Sequence, residues 1–200
     1  MRNKKVVFTD KAIILQDNTR SVVMEEGAKS LTEMYAHVVC QNRGDILDIG
    51  FGMGFSANKI YELADSYTCI EINPQIYQRA EIWAKDKPNA TIIFGDWIDI
   101  LPRLGRKFDG IFMDTHHDPN YHMFESYSKF VAKEGSILSI FNYTLIKDKS
   151  ELNSYEFELD ATKFSKVVEP YHTINWTYFQ EGKFRKSDTN EIKSKIKYTI

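Results

Sequence analysis

The sequence predicts an α/β protein, a doubly wound and mostly parallel sheet with helices on both faces, preceded by a short N-terminal extension. Three observations lead there. From residue 45 onward, short apolar runs of strand length alternate with helical periods. The first of these strands runs straight into a glycine-rich turn, Gly50-Phe-Gly-Met-Gly54. Near the end, two strand-like runs follow one another without a full helix between them, which suggests an antiparallel pair finishing the sheet.

In chain order, residues 5–8 and 12–16 read as short strands around a Thr9-Asp10-Lys11 turn. Residues 22–26 form a separate piece of unassigned form, cut off by Gly27. Ser30 and Glu33 have capping-box spacing, so a helix is predicted to start at Ser30, with Leu31, Met34, Tyr35, Val38 and Val39 on a helical period. Strands are predicted over 46–49, 67–72, 91–94, 108–114 and 136–141. Helices over 56–63, 73–85, 96–104 and 122–132 connect them, and Asn73 before Pro74 supplies a cap with a first-turn proline. A short helix over 162–168, a strand over 173–179 and a last strand over 191–200 follow. In that last strand Ile192, Ile196, Tyr198 and Ile200 alternate with Lys193, Lys195, Lys197 and Thr199, which reads as one buried and one solvated face. No linker stands out, so 1–200 is read as one domain, with 1–44 the N-terminal strands and helix and 45–200 the sheet core.

Composition narrows the function. A 42% hydrophobic and 27% charged chain of 200 residues is ordinary for a globular domain. The net charge of -2 offers no field for nucleic acid or an anionic membrane, so neither is an expected partner. No run approaches a membrane span, and no signal peptide is visible. Cys40 and Cys69 form neither a disulfide framework nor a metal spacing, and a reducing, cytoplasmic compartment is the expectation.

Ligands of open α/β sheets bind beyond the carboxyl ends of the strands, where strand order reverses. Gly50, Gly52 and Gly54 permit a tight turn there and let backbone N–H groups come close to a ligand. Glu71 ends the second sheet strand, 21 residues beyond Gly50, where an acid can accept ribose hydroxyls. Asp96 and Trp97 follow the third strand and offer an acceptor and an aromatic face to adenine. A dinucleotide fingerprint would need glycine at Phe55, and it is absent. The Gly-x-Gly-x-Gly form, with Asp48 two residues upstream, instead resembles motif I of class I methyltransferases. An acid at that place suits the cationic methionine part of S-adenosyl-L-methionine and would repel a pyrophosphate.

From about Val23 to Thr144 the chain resembles the guanidinoacetate and arginine-δ-N methyltransferase group. The matching residues are Val23-Met-Glu25, Gly50-Phe-Gly-Met-Gly54, Cys69-Ile-Glu-Ile72 with Tyr77-Gln-Arg79, Gly95-Asp-Trp97, Phe108-Asp-Gly-Ile-Phe-Met-Asp-Thr115 and Phe141-Asn142. The resemblance implies a seven-strand, Rossmann-like sheet with its last strand antiparallel. It also implies that Met24, Glu71, Trp97 and Asp114 line the cofactor and substrate sites, with Phe51 and Ile72 beside them. One position departs from the pattern: Ala28 stands where guanidinoacetate methyltransferases carry a second substrate-binding glutamate. The reaction type, N-methylation of a guanidino or amino small molecule, carries over better than the substrate.

A looser resemblance, in Asp114-Thr-His-His-Asp-Pro-Asn-Tyr121, is to metal-dependent catechol-type O-methyltransferases. It implies Asp114 and Asn142 as magnesium ligands, but Phe141 leaves the set one carboxylate short. A methyltransferase fold that binds nucleotide without turnover is the third reading. For the leading one, Asp114 is the candidate base: at the end of the fourth strand it can orient a cationic nitrogen and accept its proton. Glu25, His116, Asn142, Tyr143 and Thr144 are the candidate substrate contacts. Adjacent side chains in an extended loop point in different directions, so one of His116 and His117 is expected at the pocket, not both.

Overall fold

The computed structural model describes residues 1–142, 172–179 and 183–186. A small antiparallel sheet opens the chain: β1 (Val6–Phe8), β2 (Ala12–Leu15) and β3 (Val22–Glu25). The Thr9 side chain builds the first turn, its Oγ1 accepting from the backbone N–H groups of Lys11 and Ala12. The unassigned piece at 22–26 is therefore mostly strand, and Glu26 N, donating to Lys11 O at 2.8 Å, ties its end to that turn.

Helix α1 (Lys29–Val39) does not begin as the capping-box spacing predicts. Residues Glu26–Ala28 already form a 3-10 turn, which feeds directly into the helix with Ala28 at the cap and no side chain bonded there. Ser30 thus falls inside the first turn. Thr32 instead donates its hydroxyl to Ala28 O at 2.9 Å.

The main sheet is built from β4 (Asp45–Ile49), β5 (Ser66–Glu71), β6 (Ala90–Phe94), β7 (Phe108–Met113) and β8 (Ala132–Asn142). These five run parallel in the order β6-β5-β4-β7-β8. Strand order therefore reverses between β4 and β7, which opens a crevice at their carboxyl ends. Beyond β8 lie β9 (His172–Phe179) and β10 (Lys183–Lys186), each antiparallel to its neighbour. The strand β9 is the one expected over 173–179, whereas β10 was not expected, and the regions 162–168 and 191–200 lie outside the described residues.

Alternation along the parallel strands creates two cores. On one face Ile46, Tyr67, Cys69 and Phe112 pack with α1, α2 (Phe55–Leu63) and α3 (Pro74–Ala84) through Tyr35, Ile60 and Ala80. On the other, Leu47, Ile49, Ile70 and Met113 meet α4 (Trp97–Ile100) and α5 (Phe124–Ser128) through Trp97 and Phe124. The helix expected over 122–132 is shorter than predicted. Phe108 N donates to Val131 O at 2.8 Å and Ala132 pairs with Phe108, so the sheet claims the chain before the helix can continue.

Asn73 does three things at the start of α3. Its Oδ1 accepts from the N–H groups of Gln75 and Ile76, capping the helix. Its Nδ2 donates to the carbonyls of Met1 and Lys4, and its backbone N–H donates to Glu71. Gln75 next to it brackets both backbone polar groups of Val6. Asn73→Ala should therefore cost at least the ~1–2 kcal/mol typical of a lost cap; a thermal melt unchanged within error would show that the N-terminal arm holds itself.

Candidate active site

The crevice contains a cavity of about 270 Å³ walled by the ends of β4, β5, β6 and β7. Glycine at 50 is demanded by geometry. Its φ is +99°, and a Cβ there would lie 2.1 Å from the carbonyl oxygen of Asp114. Gly50 N donates to Ile70 O and Asp114 N to Ile49 O, each at 2.9 Å, so three adjacent strand ends are stitched together at the floor. Gly52, at φ +54°, brings the turn so close to β3 that a Cβ would sit 2.6 Å from Met24 Sδ. That sulfur accepts from Met53 N–H at 3.2 Å.

Glu71 is buried on the wall. Its Oε2 accepts from Phe51 N at 2.9 Å and its Oε1 from Asn73 N at 2.7 Å. Burial raises its pKa, while these backbone donors oppose the rise. The backbone N–H groups of Ile72 and Gly52 bond to it as well. Asp96 caps α4 by accepting from Ile98 N and also lines the cavity, beside the buried Trp97. Asp114 stands opposite. Its Oδ2 is sealed from solvent and has no hydrogen-bond partner among the described residues. Burial, with Glu71 nearby, pushes its carboxyl up to about 7.

Of the residues singled out from sequence, Met24, Gly50, Gly52, Glu71 and Ile72 meet on the cavity wall. Asp96, Trp97, Asp114 and His116 join them. Others do not reach it. Asp48 shares the strand face of Ile46, so it points into the helix-covered core, not at the cavity. There its Oδ2 accepts from Ser56 Oγ at 2.8 Å and from Tyr67 OH at 3.0 Å. Phe51 turns into the same core and meets Trp83 edge-on, and Gly54 supports it as the left-handed cap of α2. Glu25 is exposed at the end of β3. Asn142 ends β8, and Tyr143 and Thr144 lie outside the described residues.

Sequence reasoning missed most of the loop after β7. Both His116 and His117 line the cavity, against the expectation of one. The reason is local: His117 has φ +47°, so the loop is not extended and alternation fails. Burial, with His117 and the N-terminal amine adding to it, pushes the His116 imidazole down to about 4. Asp118 and Asn120 line the wall as well, as does Arg2 from the N-terminal arm. The strand-end rule that pointed to Asp114 applies equally to its loop and would have found the first two; nothing in the sequence marks Arg2. Among the described residues no three His, Cys, Asp or Glu side chains cluster to hold a metal, and no helix is long and apolar enough to cross a membrane.

This fold is that of the class I S-adenosylmethionine-dependent methyltransferases. An O-methyltransferase of tomaymycin synthesis from Streptomyces achromogenes, solved with S-adenosylmethionine, superposes with a TM-score of 0.52 at 18% identity, over 57% of this chain and 56% of that one. A putative O-methyltransferase from Klebsiella pneumoniae gives 0.52 at 16% identity, over 74% and 80%. The sequence is also 30% identical over 136 residues to protein arginine N-methyltransferase 2 of Yarrowia lipolytica, covering 58% of this chain and 28% of that protein. The family model of guanidinoacetate N-methyltransferase matches residues 10–196, and the chain belongs to that family. S-adenosylmethionine fits the residues present: the cavity offers a partnerless carboxylate oxygen on Asp114 and a second acid, Glu71, at the end of β5.

Burial raises Asp48 to about 8, so its folded pKa lies above its unfolded value. The associated stability is complete below the unfolded pKa near 4 and is lost as pH rises through about 8. Asp48→Asn removes that titration. The difference in melting temperature, variant minus wild type, should climb steadily from pH 5 to pH 8.5 in the ligand-free protein. A flat difference would mean that Asp48 is already charged when folded.

Proposed function

We propose that the chain transfers a methyl group from S-adenosylmethionine to a nitrogen of a guanidino or amino compound. The observation that carries this reading is the sealed, unpartnered Oδ2 of Asp114 on the wall of a cavity rich in acids. Among the described residues, Glu71, Asp96, Asp114 and Asp118 line it, against Arg2 and the amino-terminal Met1. Such a wall favours cationic ligands, because a buried carboxylate needs a partner. The family and the arginine methyltransferase relative support the same nitrogen chemistry.

S-adenosylmethionine, when bound, supplies an electrophilic methyl group on a sulfonium. The protein's part is to position the nitrogen in line, keep water out and take up a proton. Glu71 holds its place through backbone donors and offers lone pairs to the ribose side. Asp114 would orient the acceptor nitrogen and receive its proton at Oδ2 as the nitrogen lone pair forms the new C–N bond and the methyl–sulfur bond breaks to leave a neutral thioether. A carboxyl near 7 suits that exchange around neutral pH. Ala28, at the cap of α1, contributes no carboxylate, so a second acidic contact to a guanidinium must come from elsewhere than that position.

The deciding experiment is methyl transfer from labelled cofactor over guanidino compounds, amines, catechols and proteins, with and without a chelator. Transfer confined to catechol oxygen and abolished by chelation would overturn the proposal. Asp114→Asn should lower turnover by roughly two to four orders of magnitude, and the wild-type rise of kcat/KM with pH through about 7 should vanish with it. Glu71→Ala should weaken S-adenosylhomocysteine by roughly 1.5–3 kcal/mol, the range for hydrogen bonds to a charged group. Unchanged calorimetric affinity would remove Glu71 from the cofactor site.

A further inference from the structure

His116 and His117 both line the cavity, and the way the segment 114–120 is held puts them there. His117 sits at φ +47°, a sparsely populated conformation for a residue with a side chain. That turn places the His116 and His117 rings 4.3 Å apart, at 75° to each other, with both residues on the wall. A left-handed residue in a loop persists only where its surroundings enforce it.

Asp118 is bonded in a way that enforces it. Its Oδ2 accepts the Trp97 indole N–H at 2.6 Å. Its Oδ1 accepts Asn120 N–H at 2.8 Å, closing a tight turn behind the histidines. Trp97 is a rigid post: it is 3% exposed and meets Phe124 and Tyr127 edge-on. The contact between His116 Nε2 and Ser21 Oγ, at 3.4 Å, is long for a hydrogen bond and holds the loop less firmly. A short, charge-assisted bond to a buried indole is the stronger tether.

We propose that Asp118 is a positioning residue of the active site: by tying the loop after β7 to Trp97, it maintains the left-handed turn at His117 that sets both imidazoles on the cavity wall. The proposal rests on the methyl-transfer reading only for what those imidazoles meet, namely the acceptor beside Asp114. The tether itself joins the first residue of α4, just beyond β6, to the loop after β7.

The test follows the His116 ring by NMR titration in wild type, Asp118→Ala, Asp118→Asn and Trp97→Phe. In wild type the ring should titrate far below the ordinary histidine value of about 6.5. Asp118→Ala should return it toward that value, because the freed loop carries the ring into solvent. Asp118→Asn keeps an acceptor for the indole and should stay close to wild type. Trp97→Phe should mimic Asp118→Ala, and the double variant should shift the ring no further. Alongside, kcat/KM for the acceptor should fall, by up to about a hundredfold for a displacement of roughly 1 Å, in Asp118→Ala and largely recover in Asp118→Asn. An unchanged His116 titration in Asp118→Ala, or shifts that add with Trp97→Phe, would overturn the proposal. Should Asp118→Ala fail to fold, the contrast between Asp118→Asn and Trp97→Phe decides by the same criterion. Should His116 move as expected while no guanidino or amino compound is methylated, the functional reading falls and the positioning role stands.

Discussion

Gly50 and the carbonyl of Asp114 approach so closely that no side chain fits between them. The contact joins the turn after β4 to the end of β7, the two strands between which sheet order reverses. Gly50 also takes its backbone bond from β5 through Ile70 O. A methyl group at this point would have to push backbone aside, because a carbonyl in a sheet cannot rotate away as a flexible side chain can. The glycine turn, Glu71 and Asp114 would then separate, and the wall they form would open. Most of the cavity's geometry is inherited from this one approach.

The second constraint is electrostatic. Asp48, Glu71 and Asp114 lie within electrostatic range: Glu71 raises the proton affinity of the other two, and Asp114 raises that of Asp48. They are satisfied very differently. Glu71 draws backbone N–H donors to both of its oxygens. Asp48 has two hydroxyls on one oxygen and none on the other among the described residues. Asp114 Oδ2 has none. Environments that differ in this way push neighbouring carboxyls toward different tasks. The proposed function uses this difference, with Glu71 as a fixed acceptor and Asp114 as the group that exchanges a proton. Asp48 braces the strand from beneath, through Ser56 at the start of α2 and Tyr67 on β5.

Much of this was legible in the sequence, for a physical reason. Parallel strands covered on both faces leave apolar runs, and the rule that ligands sit at strand ends then needs no side-chain detail. It located Gly50, Glu71, Asp96 and Asp114 together. The failures are equally local. Ser30 carries a valid capping pattern, but the 3-10 turn at Glu26–Ala28 starts the helix first. A helical period continues past Ser128, but hydrogen bonding of Val131 to β7 wins over it. Asp48 has the right distance from the glycines, but both strand faces are covered and its side chain falls on the one that bonds to Ser56 and Tyr67. For His117 no pattern of neighbours announces a left-handed backbone, since any residue that adopts it does so under tertiary constraint.

In the proposed reading, the cofactor half and the acceptor half of the cavity are encoded in different ways. The first is made from the regular ends of β4, β5 and β6, whose positions follow from pairing and alternation. The second depends on an irregular loop, on the N-terminal arm pinned by Asn73 and Gln75, and on β3, whose Met24 packs against the glycine turn. The N-terminal sheet is therefore part of the site and not an appendage: besides its left-handed φ of +54°, Gly52 has the Met24 sulfur 2.6 Å from where a Cβ would stand. A strand-end rule recovers the half that every such sheet must build in the same place. The half that distinguishes one acceptor from another is written in loop conformation and long-range tethers. A single sequence therefore names the reaction more readily than the molecule it acts on.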